Sequence, residues 1–155
     1  MGILVSYFLT ILYLSQRGAN YVKTPKKDID VALQVLKKGD IFIDLGFGNG
    51  EVLEAAVAKG ASLAIGYDLD FFRFLKTWWT VRENARIKLI YRDIWFADLS
   101  RADVVYTFFT DIHMARLYKK AQREMRKGSW FISFVHTVPD IKPTRQIGNV
   151  QFFKI

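Results

Sequence analysis

Short apolar runs alternate with stretches of helical period along most of this chain, and that alternation admits few folds. IFIDL (Ile41 to Leu45), SLAIGYD (Ser62 to Asp68), IKLIYRD (Ile87 to Asp93), VVYTFF (Val104 to Phe109) and SWFISFV (Ser129 to Val135) read as five strands. Between them Glu51 to Lys59, Phe71 to Asn84 and His113 to Arg126 read as helices, the last with Met114, Leu117, Ala121 and Met125 on one face. Ahead of them Thr24 and Pro25 make a helix start, N-cap then N1. That helix reaches about Lys37, with Ile29, Ala32, Leu33 and Leu36 on its buried face. Strands alternating with helices require a parallel sheet covered on both faces. Thr144 to Ile147 and Val150 to Ile155 flank Gly148 and Asn149, a two-residue turn signal, so the chain closes with an antiparallel hairpin.

The chain has 155 residues, enough for one cored domain and too few for two. It has no cysteine, which excludes disulfides and thiolate metal sites, and only His113 and His136 as histidines, so no metal cofactor is expected. The net charge of +8 implies attraction to something negative: nucleic acid, an anionic membrane or an acidic partner. Its basic residues gather at Lys23, Lys26 and Lys27, at Arg82, Arg86, Lys88 and Arg92, and from Arg116 to Lys127. Neither glycine-arginine repeats nor zinc-finger spacing accompany them, so nucleic acid is the less favoured partner.

Residues 3–14, ILVSYFLTILYL, are apolar except for Ser6 and Thr10, so a helix there is greasy on nearly every side. Residues 1–16 are therefore set apart as an N-terminal hydrophobic helix and 17–155 as the folded domain. At about 1.5 Å per residue the run spans roughly 18 Å, short of the ~30 Å hydrocarbon core. Two readings stay open: a membrane anchor, or a helix packed on the domain or on a second copy. Arg17 and the lysines after it follow the run, which for an anchor leaves the domain on the cytoplasmic side; the expected location is the cytoplasm, with that attachment.

The loop after the first strand reads D-x-G-x-G-x-G, with Asp44, Gly46, Gly48 and Gly50. A glycine turn at a strand's carboxyl end is where open α/β sheets hold nucleotide-like ligands. Glu51 stands where the third glycine of a dinucleotide fingerprint belongs, and no Gly-Lys-Ser/Thr closes a phosphate loop. A carboxylate repels phosphate but suits the ammonium and sulfonium charges of S-adenosylmethionine (SAM). Asp68 ends the second strand, where an acidic side chain can accept both ribose hydroxyls. Asp93 ends the third, placed for an adenine amino group, with Ile94 and Trp95 as apolar surface for the ring.

With these residues in hand, the chain resembles class I SAM-dependent methyltransferases from about Tyr21 to its end. It is most similar to the small archaeal protein-lysine methyltransferases and the mitochondrial enzymes that methylate lysine on an ATP synthase subunit. YVKTP (Tyr21 to Pro25), DLGFGNGEVLEAA (Asp44 to Ala56), IGYDLD (Ile65 to Asp70) and the compact ending carry the likeness. The resemblance implies an α/β fold, a seven-stranded Rossmann-like sheet of order 3-2-1-4-5-7-6 with strand seven antiparallel. It implies a cofactor set of Tyr21, Thr24, Asp44, Leu45, Gly46, Phe47, Gly48, Asn49, Gly50, Asp68, Leu69, Asp93, Ile94 and Thr107. Tyr21 and Thr24 enter because the Tyr-x-x-Thr-Pro segment of that family helps to enclose the cofactor. Two departures stand out. Phe47 and Asn49 differ from the usual loop residues, and TFFTDIH (Thr107 to His113) lacks the Asn/Asp-Pro-Pro-Tyr motif of enzymes that methylate planar nitrogens.

That absence fits a lysine acceptor, and the expected partner is a protein with an exposed lysine. Phe108 and Phe109 can wall an apolar slot for the amine, and Asp111 and His113 can orient it or pass on its proton. Ser133 and His136 stand second to these. The competing functions are methylation of RNA or of a small molecule, and a non-catalytic SAM-binding module tethered to a membrane.

Overall fold

The computed structural model describes residues 22–155. Seven strands, β1 (Ile41–Leu45), β2 (Leu63–Asp68), β3 (Ile87–Tyr91), β4 (Val104–Thr107), β5 (Trp130–Phe134), β6 (Arg145–Ile147) and β7 (Val150–Lys154), form one sheet of order 3-2-1-4-5-7-6. The first five pair in parallel, and β7 runs antiparallel to both β5 and β6. Helices α1 (Lys26–Ala32), α2 (Glu51–Ala58), α3 (Phe71–Val81) and α4 (Asp111–Glu124) connect the parallel strands or precede them. This is the sheet that the resemblance implies. The expected N-terminal helix, within residues 1–16, lies outside the described residues. Among those described, no helix is long and apolar enough to cross a membrane.

Alternation along the strands sorts the core into two layers. Phe42, Ala64, Val104 and Ile132 meet Ile29 and Leu33 together with Leu53 and Ala56 of α2. Ile43, Leu45, Val105 and Phe131 face the other way, against Met114, Leu117 and Ala121 of α4. Central strands covered on both faces read as unbroken apolar runs, which is why IFIDL and VVYT carry so little polarity. Full burial of a leucine such as Leu53 contributes about 1.5–3 kcal/mol.

Several boundaries differ from the sequence reading. β3 ends at Tyr91, so Asp93 lies two residues beyond it; α3 ends at Val81, and α4 runs from Asp111 to Glu124. Three further differences have a visible cause. Pro25, not Thr24, is the N-cap of α1; its carbonyl accepts from the Asp28 and Ile29 N–H groups at 2.9 and 3.0 Å. Thr24 cannot cap because its hydroxyl is committed to the Tyr106 phenol at 2.8 Å. α1 itself stops at Ala32 and tightens into a 3-10 turn, Leu33–Val35. β4 stops at Thr107, so Phe108 and Phe109 fall outside it. On the β1 side pairing ends at Leu45, opposite Thr107, where the chain turns away at Gly46, and on the β5 side it ends with Thr107 opposite Ser133.

Candidate active site

Strand β1 carries Asp44 into the middle of the sheet, opposite Gly66 of β2 and Tyr106 of β4. Two residues later the chain swings at Gly46, whose φ of 95° suits glycine alone; a Cβ added there would meet nothing within 4 Å. Gly50 opens α2 at φ 84°, and a Cβ there would meet Thr77 Cγ2 of α3 at 2.8 Å. The missing side chain lets α2 start hard against α3. Thr77 also holds the loop, donating its hydroxyl to the Gly48 carbonyl at 3.0 Å.

Beyond the carboxyl ends of these strands lies a cleft open to solvent. Asp44, Asp68 and Asp93 all line it, with Thr24, Gly46, Phe47, Leu69, Ile94 and Phe108 from the sequence reading. Phe47 does not fill it. Its ring is buried against Gly66, where an added Cβ would come within 2.6 Å of Phe47 Cδ1, and lies 6.4 Å from the Phe74 ring.

Each aspartate meets a different environment. Asp68 accepts from the Asp70 N–H at 2.9 Å and from the Gly48 N–H at 3.1 Å, so it fixes the glycine loop and keeps its remaining lone pairs for other donors. Asp93 caps the 3-10 turn Ile94–Phe96, accepting from the Trp95 N–H at 3.2 Å. Asp44 is buried, and its Oδ1 has no hydrogen-bond partner among the described residues. Burial first, then the Asp68 and Glu51 carboxylates, push the Asp44 carboxyl well above its ordinary 3.8. Burial also raises Asp68, while the two backbone donors and the Arg73 charge oppose it.

The remaining expected cofactor residues fall elsewhere. Leu45 is fully buried on the α4 side, and Gly48, Asn49 and Gly50 form the loop without lining the cleft. Thr107 is wholly buried, its hydroxyl without a partner among the described residues. Tyr21 lies outside them. Asp111 and His113 do not line the cleft either. They sit in the first turn of α4 and point apart. His113 lies against the Trp95 and Phe109 rings, at 5.8 and 5.4 Å, while Asp111 accepts from the Thr137 N–H and pairs with His136 Nδ1, both at 3.1 Å. His136 lies behind Phe108, ring to ring at 5.8 Å, and its carbonyl accepts from the Ser133 hydroxyl.

The cleft also uses residues that the sequence reading passed over. Glu51 pairs with Lys23 at 3.3 Å, and Arg73 pairs with Asp70 at 3.2 Å. Tyr106 presents a buried phenol whose pKa burial drives upward. Its signal was a hydroxyl-bearing side chain inside an otherwise apolar strand. Arg73 had no comparable signal.

The orphaned Asp44 oxygen is the test of what fits. A buried acceptor flanked by two further carboxylates calls for a donor that is itself cationic, and it rejects phosphate. The ammonium of SAM meets that demand. Among the described residues no group of three or more potential ligands could hold a metal ion.

Comparison with known proteins agrees with this geometry. Residues 44–145 match the model of the ANTKMT methyltransferase domain. No curated protein matches the sequence. Among solved structures, the RNA methyltransferase from Salinibacter ruber in complex with S-adenosyl-L-homocysteine superposes with a TM-score of 0.81 at 22% identity, over 86% of this chain and 94% of that one. A SAM-dependent methyltransferase from Thiobacillus denitrificans, also with S-adenosyl-L-homocysteine, gives 0.62 at 19% identity, over 76% of this chain and 52% of that one. One from Mesorhizobium loti gives 0.58 at 22%, over 69% of this chain and 50% of that one. Likeness at these identities is likeness of fold.

Proposed function

Because the chain belongs to the family of the ANTKMT methyltransferase domain, and is a SAM-dependent methyltransferase, we propose that its acceptor is the side-chain amine of a protein lysine. The observation that carries this reading is the aromatic wall of the cleft, Phe108 and Phe109, with the Asp111–His136 pair behind it. A lysine amine holds its proton up to about pH 10.4 and must lose it to become a nucleophile. Apolar walls disfavour the cation, while the ring faces still attract it on approach by about 0.5–2 kcal/mol. With Nδ1–H donated to Asp111, His136 keeps Nε2 to receive the departing proton through water. This moves the expected proton-handling role from His113 to His136.

SAM, when bound, supplies an electrophilic methyl group on a sulfonium. In this reading Asp44 accepts from its ammonium, Asp68 from the ribose hydroxyls and Asp93 from the adenine amino group. Leu69, Ile94 and Trp95 give the ring an apolar wall. Holding acceptor and donor in line supplies most of the acceleration.

A second reading, an RNA acceptor, draws support from the net charge of +8 and from the RNA methyltransferase that shares the fold. Tritiated SAM incubated with cell extract separates them. Label removed by protease supports lysine, and label removed by ribonuclease supports RNA. Binding of SAM without any transfer leaves a non-catalytic module. Location is part of the same proposal: residues 3–14 attach the chain to a membrane with the domain on the cytoplasmic side. Truncation of the first 16 residues then lowers the share of the chain in the membrane fraction.

A further inference from the structure

Helix α3 buries little of its apolar surface. Of its eleven residues only Thr77 and Val81 are buried, with Phe74 partly so. At about 100° per residue, Phe71, Phe72, Leu75, Trp78 and Trp79 share a continuous second arc of about 120° beside the buried one. These five are 44–65% exposed. At roughly half of the 150–250 Å² that an aromatic side chain carries, they bare on the order of 500 Å² of apolar surface. That is near the upper end of what a soluble monomer leaves uncovered, and such patches mark contact sites. Tyr91, exposed on the edge strand β3, extends the stripe, its ring 5.6 Å from that of Phe71.

Charge surrounds the stripe. From Phe71 to Arg92 the chain carries six basic residues, Arg73, Lys76, Arg82, Arg86, Lys88 and Arg92, against one acidic residue, Glu83. The Arg82 guanidinium lies 3.8 Å above the Trp79 ring. Tryptophan at the border of an apolar face, ringed by lysine and arginine, is the composition of a helix lying in a membrane interface.

We propose that the α3 stripe is a bilayer-docking face, set into the interfacial layer of an anionic membrane with its basic flank on the headgroups. Single-stranded nucleic acid also stacks on aromatics, but in a charged groove; this stripe is convex and includes Leu75. Residues 3–14 of the chain are a poor cover, because a segment apolar on nearly every side would replace one bare surface with another. A bilayer accepts both. Arg73 lines the cleft from the side of α3 away from the stripe, so docking keeps the cleft about one helix diameter, roughly 10–12 Å, from the headgroups. On the lysine reading above, the acceptor is then a lysine close to a membrane surface.

The test uses the full chain and vesicles of phosphatidylcholine with phosphatidylglycerol, their acyl chains brominated to quench tryptophan. A Trp78→Phe/Trp79→Phe variant keeps the stripe apolar and leaves Trp95 and Trp130 as reporters. The wild type should be quenched at least about twofold more than the variant, and less strongly by vesicles without phosphatidylglycerol. Equal quenching of both proteins overturns the proposal, even if the chain sediments with vesicles. So does shielding of Trp78 and Trp79 from a water-soluble quencher before vesicles are added, which would mean cover by residues 3–14 or by a second copy. A response of these two tryptophans to RNA but not to vesicles overturns it as well. Calorimetry of SAM on the same samples reads the cofactor assignment separately, since docking can fail while SAM still binds.

Discussion

Replacing Asp44 with asparagine should make the free chain more stable while weakening its hold on SAM. The native carboxylate is buried, one of its oxygens has no partner among the described residues, and Asp68 and Glu51 repel its charge. Asparagine leaves an unpaired amide there, at the usual cost of about 1–3 kcal/mol, so what the substitution relieves is the burial of a charge and its repulsion by Asp68 and Glu51. Removing the charge should raise the melting temperature by at least about 2–4 °C, the shift that about 1 kcal/mol gives a chain of this size. Loss of the charged acceptor for the cofactor's ammonium costs about 1.5–3 kcal/mol of binding, roughly a tenfold to hundredfold weaker Kd. The pH dependence follows from the raised carboxyl. Between the ordinary 3.8 and the raised value, the folded chain keeps a proton that the unfolded chain has lost, so wild-type stability falls as pH climbs through that window. The gain from Asp44→Asn is thus absent below 3.8 and grows to a plateau above the window. Thermal melts across pH and calorimetry of SAM at neutral pH measure both quantities. An asparagine variant that melts below the wild type at neutral pH, or binds SAM as tightly, refutes the reasoning.

Asp68→Asn should move both readouts downward. It sets an amide N–H₂ against the Gly48 or Asp70 N–H, loosening the loop, so SAM affinity falls at least about tenfold and the melting temperature falls with it; a rise in melting temperature would contradict the loop-holding role. Gly66→Ala forces a Cβ within 2.6–2.8 Å of Phe47 and Leu53, an overpacking worth about 1–3 kcal/mol, visible as a lower denaturation midpoint. An unchanged midpoint would mean that Phe47 does not rest on that strand.

The strands and the glycine loop were legible because their causes are local: apolar runs need two covered faces, and only glycine tolerates the swing at Gly46. The three aspartates could be placed together because each lies within two residues of a strand's carboxyl end. Phe108 and Phe109 read as strand because their propensity is high, but pairing to both neighbours stops at Thr107, opposite Leu45 and Ser133, which no local propensity reveals. The Asp111–His136 pair joins residues 25 apart in the chain, which no spacing rule brings together. Likewise, the apolar positions of α3 show that the helix has something to cover without showing that the sheet takes only one side of it.

The bond between Thr24 and Tyr106 links positions 82 residues apart, and Tyr106 is the cross-strand neighbour of Asp44. The lead into the first helix and the bottom of the cleft are thereby one mechanical unit. Tension arriving along the chain ahead of Val22 reaches the cofactor's seat through this hydroxyl pair and the Lys23–Glu51 ion pair. Tethering and occupancy that share these links are reciprocal: whatever free energy one lends the other must be returned in equal measure.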